Sequence, residues 1–166
     1  MNQQEARHEL SRPTAKETGA AVGVGIINAL LLSAIMVPAA KFGISPMPRP
    51  LGLAFAQTLL GNVPLPVGLL FHVVWVTAWS VVYVVLFHDR LTFLNALWLA
   101  LFLWVLVLVV FFPVIGWGFF GLGVSPKLIV ASLVPHVLFA VFLWGLCRIV
   151  FGRWLRPAAD RGTAGA

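Results

Sequence analysis

Apolar residues in this chain gather in long unbroken runs, without the alternation of a half-buried strand or the stripe of an amphipathic helix. Four runs stand out: residues 19–40, 67–88, 91–113 and 128–150. None contains Asp, Glu or Lys, and Arg148 at the end of the last run is their single basic residue. A helix rises about 1.5 Å per residue and a bilayer's hydrocarbon core is about 30 Å thick, so roughly 20 apolar residues cross it. Helices apolar on every face belong in lipid or in a deep core. The pattern predicts an all-α fold, a bundle of four transmembrane helices.

The polar interruptions organise the bundle. Little more than "HDR" joins the second and third runs, which predicts a tight antiparallel hairpin. After Pro113 the third gives way to "VIGWGFFGLGVSPK", whose glycines end the helix and whose aromatics suit a membrane interface. The longest link, between the first and second, reads "KFGISPMPRP", "LGLAFAQTLLG" and "NVPLP". Its prolines bracket a short apolar piece, predicting an interfacial helix over 51–61 that does not span. A weak internal repeat also shows. "MVPAAKFG" and "FFPVIGWG" each place Gly five residues after Pro, Pro38 to Gly43 and Pro113 to Gly118. Each is followed by a loop and a run with an early histidine, "LLFHVVW" and "LVPHVLF". This predicts two repeated helical hairpins related by an axis along the membrane normal. The domain organisation is then a polar tail over 1–18, a membrane domain over 19–152, and a basic C-terminal tail over 153–166 expected to fray.

Composition sharpens the choice between lipid and deep core. The chain has 166 residues, 61% hydrophobic and 10% charged, with a mean hydropathy of +1.00. Soluble domains are about 45–50% apolar and about 25% charged, so the solvent here is the bilayer. The net charge of +6 raises nucleic acid as a partner. The basic residues flank the apolar runs, however, with no stripe of interleaved aromatics, and this excludes nucleic acid. They set orientation instead. With four spans both termini share a side, and all of the eleven Lys and Arg lie there except Lys41, Arg49 and Lys127. That bias places both termini in the cytoplasm. The first run is too long for a secretory signal and is expected to stay as a span, and no lipidation motif is present. The partners expected are the lipid bilayer and, through it, other membrane subunits or further copies of the chain.

Candidate chemistry is sparse. His72 and His136 lie early in the second and fourth runs, roughly 8 Å and 12 Å into their helices. An ionisable group inside a span is a functional candidate by default. Two imidazoles at similar depth fit a haem b, a metal or a quinone headgroup. They equally fit neutral rings acting as glue between helices, bonded to partners on other helices. Asn28, Ser33, Asn95 and Ser132 form the expected buried polar network, with carbonyls freed near Pro38 and Pro135. Thr77 and Ser80 add hydroxyls, and Trp75 and Trp79 share a helix face with His72. Gly19 and Gly23 make one GxxxG. Cys147 is the single cysteine, which excludes a cysteine-rich metal site. No paired carboxylates, Ser-His-Asp set or phosphate loop is present, so no catalytic residue is assigned and no metal or other cofactor is expected.

Taken together, "MPRPLGLAFAQTLLGNVPLPVGLLFHVVW" and "FFPVIGWGFFG", the latter followed by a last span with an early histidine, resemble an uncharacterised family of small four-span prokaryotic integral membrane proteins, a domain of unknown function. The resemblance covers residues 23–152 and is carried by Pro113, Gly116, Gly118 and the two helical histidines. Similar proteins commonly have Gly before the last histidine, where this chain has Pro135. The family implies the four-span fold and a multi-pass location in the prokaryotic plasma membrane, and it implies no activity. The function expected from the sequence is that of an accessory or scaffold component without catalysis. The alternatives are a haem b or quinone module built on His72 and His136, and a small transporter or channel, which the lack of intramembrane carboxylates disfavours.

Overall fold

The computed structural model describes residues 13–152. Within them the chain is helical and contains no strand. Four helices are long and apolar enough to cross a membrane: α1 (Ala15–Lys41), α3 (Leu65–Leu86), α4 (Phe93–Val114) and α5 (Lys127–Phe151). A fifth, α2 (Leu51–Leu60), is short and lies between α1 and α3. The sequence expectations on residues 1–12 and on the tail over 153–166, with their arginines, fall outside the described residues.

Local chemistry explains the helix ends. Thr14 and Glu17 form a capping box at the start of α1: the Thr14 N–H donates to Glu17 Oε2 at 2.7 Å, and the Glu17 N–H donates to Thr14 Oγ1 at 3.3 Å. Glu17 also lies 3.4 Å from His88 Nε2, joining the start of α1 to the α3–α4 turn. α1 ends in a Schellman motif. Gly43 takes φ +68°, and the Ile44 N–H reaches the Ala39 carbonyl at 2.9 Å. α4 ends in the same motif, with Gly116 at φ +79° and the Trp117 N–H on the Phe112 carbonyl at 2.8 Å. The Phe112 and Trp117 rings, 5.4 Å apart, supply the apolar contact that accompanies this cap. The capping glycine is thus Gly116 and not Gly118, with which the sequence repeat paired Gly43. Trp117, in a loop read as interfacial, is buried.

The order of packing differs from the order of the chain. α3 packs on α1 and α2, α4 packs on α5, and α1 and α5 join the two pairs. α3 and α4, expected as a tight hairpin, are joined by residues 87–92 and meet chiefly through aromatic side chains. Trp75 with Phe111 at 4.9 Å and Trp79 with Phe102 at 6.1 Å are examples. Each half is therefore a packed antiparallel pair whose second helix carries the histidine. The closest approaches use small residues. A Cβ on Gly25 would lie 2.6 Å from Thr77 Cα, and one on Gly68 would lie 2.5 Å from Leu53 Cα. Gly19 and Gly23 face open space, so the GxxxG of the sequence is not the packing face.

Two apolar clusters make up the core. The larger includes Val24, Leu32, Tyr83, Leu103 and Leu143. The smaller, toward the other end, holds Ala54, Val107, Leu108, Phe112, Trp117 and Leu128. Large apolar side chains such as Leu70, Val74, Trp98 and Val130 are more than half exposed on the outside of the bundle, the inverse of a soluble surface and the expected face toward lipid.

Candidate functional site

A cavity of about 150 Å³ lies between α1, α3 and α5, with Leu32, Ser33, Met36, Val37 and Ala40 of α1 on its wall. It sits toward the end of the bundle at which α1 and α4 finish and α3 and α5 begin. His72 on α3 and His136 on α5 both line it. Trp75, Trp79 and Phe139 form aromatic wall, and Leu103 and Val107 contribute from α4. Ser45, Met47 and Arg49 extend the lining into the α1–α2 connection.

Several local features hold this wall. α4 departs from α-helical geometry over Val107–Phe111, where a π-helical turn puts the Phe112 N–H on the Val107 carbonyl. Such wide turns cluster at functional sites and next to residues that disturb the helical ladder, and here Pro113 follows directly. The turn carries Phe111, whose ring packs against Phe55 of α2 at 5.0 Å and Trp75 of α3 at 4.9 Å. α2 is pinned over the start of α3, since a Cβ on Gly52 would lie 2.6 Å from the Gly68 carbonyl oxygen. Arg49 donates to Gln57 Oε1, and Gln57 Nε2 donates to the Val63 carbonyl at 3.1 Å, so both ends of the α2 segment are tied together.

His136 is bonded differently from the expected interhelical glue, whereas His72 meets another helix. His136 Nδ1 lies 2.7 Å from the Ser132 carbonyl of its own helix. A carbonyl only accepts, so Nδ1 carries the hydrogen, and the neutral ring keeps a lone pair on Nε2. His72 borders the Ala29 carbonyl of α1. Its Nε2 is fully buried and has no hydrogen-bond partner. Leaving a buried polar atom unpaired costs about 1–3 kcal/mol; Asn28 Oδ1 and Thr77 Oγ1 are in the same state.

Of the expected polar network, the cavity gathers Ser33 and Ser132 beside the histidines. The Ser132 hydroxyl accepts from Trp104 Nε1 at 3.1 Å, and that indole also donates to the Ile129 carbonyl at 3.1 Å, joining α4 to α5. Asn28 is fully buried away from the lining, with Nδ2 3.4 Å from the Phe139 carbonyl of α5 and Oδ1 unpaired. Asn95 is not part of the group. It lies at the opposite end, in the first turn of α4, where its side chain donates to the Arg90 carbonyl at 2.8 Å. Its spacing from Thr92, whose hydroxyl caps its N–H at 3.3 Å, was the signal for that role. Trp104 went unread because a tryptophan in an apolar run looks like lipid-facing bulk until its N–H finds an acceptor. Trp144, two turns beyond His136, sits at the far end against Phe93 and under Arg148.

The volume bears on what fits. A cavity of about 150 Å³ in an apolar interior accommodates a benzene-sized ring. Among the described residues no three His, Cys, Asp or Glu come together as a metal site. No family model, curated protein or solved structure matches the chain.

Proposed function

We propose that this chain is a multi-pass membrane protein that binds a small ring compound in the cavity between α1, α3 and α5. One observation carries the reading: a ring-sized cavity with aromatic walls is lined by both helical histidines, His72 and His136. Binding sites of this kind are largely apolar, with a few placed polar groups that set orientation. The lining has that make-up, indole and phenyl faces with two imidazoles. No carboxylate lines the cavity to complete a Ser-His-Asp set with its serines and histidines, which supports binding without catalysis. The basic-residue bias supports an orientation with both termini in the cytoplasm and the cavity nearer the outer surface, and the resemblance to small four-span prokaryotic proteins supports a plasma-membrane location.

Thermal unfolding of the protein in lipid nanodiscs, with and without millimolar benzene or phenol, tests the reading. A ligand that binds only the folded state adds about 2.7 kcal/mol at a hundredfold excess over its Kd, so a clear rise in Tm is expected. Leu103→Trp, which puts an indole into the cavity, should abolish the rise. If neither ring compound moves the wild-type Tm, the reading fails. A Soret band in the protein as purified would favour the haem alternative in its place.

A further inference from the structure

We propose that the cavity selects rings that carry a hydroxyl group, a hydroquinone or other phenol, over rings whose oxygens only accept. The inference rests on the cavity being a ring-binding site and adds the chemical class of the ligand. It follows from the bonding of His136. The Ser132 carbonyl, 2.7 Å from Nδ1, holds the ring hydrogen there. The nitrogen left over, Nε2, is an acceptor in the neutral ring. A neutral imidazole is the form that suits this wall, because no Asp or Glu lines the cavity to offset a charge.

The rest of the lining offers donors, among them the Trp75 and Trp79 indole N–H groups and serine hydroxyls; a ring hydroxyl can accept from these and still donate to His136, whereas an oxygen that only accepts cannot. The Ser132 hydroxyl donates to the Ile129 carbonyl at 3.1 Å. Arg49, at the loop end, is engaged with Gln57. Ser33 and Ser45 keep hydroxyls on the lining, and Ser45 Oγ accepts from the Met47 N–H at 3.3 Å. A ligand therefore meets an acceptor at His136, and a ring hydroxyl satisfies it while the ring face lies on indole and phenyl. An ether or carbonyl oxygen at the same place would set one lone pair against another. Binding alone is inferred, with no electron transfer.

Calorimetric titration of the full-length protein in nanodiscs, corrected with empty nanodiscs, distinguishes the possibilities. The probes are hydroquinone, 1,4-dimethoxybenzene, whose oxygens only accept, and p-xylene, which has none. Hydroquinone is expected to bind at least tenfold more tightly than either of the others. His136→Phe keeps a ring in place and should erase that preference. Nitrogen NMR of histidine-labelled wild type needs no variant: hydroquinone should shift the lone-pair nitrogen of His136. Dimethoxybenzene binding as tightly as hydroquinone would overturn the hydroxyl preference and leave the ring-binding site standing. So would hydroquinone binding with no change at the His136 nitrogens. If no ring compound binds, the site itself is disproved and the preference falls with it.

Discussion

Individual side chains show where one sequence suffices and where it does not. The two histidines were legible as candidates because they are the titratable groups deep inside otherwise apolar runs. Their bonding was not. Whether His136 bonds to its own helix or to another depends on its rotamer and on which carbonyls lie free, and residue type encodes neither. The glycines teach a similar lesson. Gly19 and Gly23 have the familiar spacing, yet Gly25 makes the close approach, because helix rotation decides which small residue meets Thr77. Gly25→Ala should therefore destabilise the bundle by about 1–3 kcal/mol, since the added methyl has no room. Gly23→Ala, in open space and with better helix propensity, should cost nothing. Reversible unfolding in mixed micelles compares the two; equal costs would contradict the packing described.

Whole elements were read with more success, since length and uniform apolarity are properties of a run and survive ignorance of its neighbours. All four long helices and the short α2 lie where the runs predicted, within a few residues. The misses concern junctions. The "HDR" turn looked like the centre of a tight hairpin, yet proximity in sequence does not oblige two helices in lipid to pack, when each has a better partner elsewhere. The π-helical turn before Pro113 was also unreadable, because a proline near a helix end is tolerated in several ways. α2, with 10 residues, is about 15 Å long and too short to cross a bilayer. Nitroxides placed singly from Leu51 to Leu60 should alternate between lipid and protein contact with a helical period at shallow depth. Uniform deep burial would mean that α2 enters the membrane core.

For the molecule as a whole, four-span architecture was legible because a chain this apolar has few alternatives. The cavity was invisible, being a property of gaps between helices and of no residue in particular. The proposed orientation rests on the distribution of basic residues alone. Cysteines replacing Lys41 and Lys127 should react with an impermeant maleimide in intact cells, while one replacing Arg90 should stay protected; the opposite labelling would invert the bundle and place the cavity nearer the cytoplasm. The pairing of α1 with α3 and of α4 with α5 bears on biogenesis. During synthesis the first three helices can assemble and bury Gly25, Gly52 and Gly68 before the fourth leaves the ribosome. The cavity lacks the wall of Leu103, Val107, Ser132, Pro135, His136 and Phe139 until the second half arrives. The pocket is thus a late product of insertion, and a nascent chain arrested after Leu86 would hold His72 and both its tryptophans but no enclosed site.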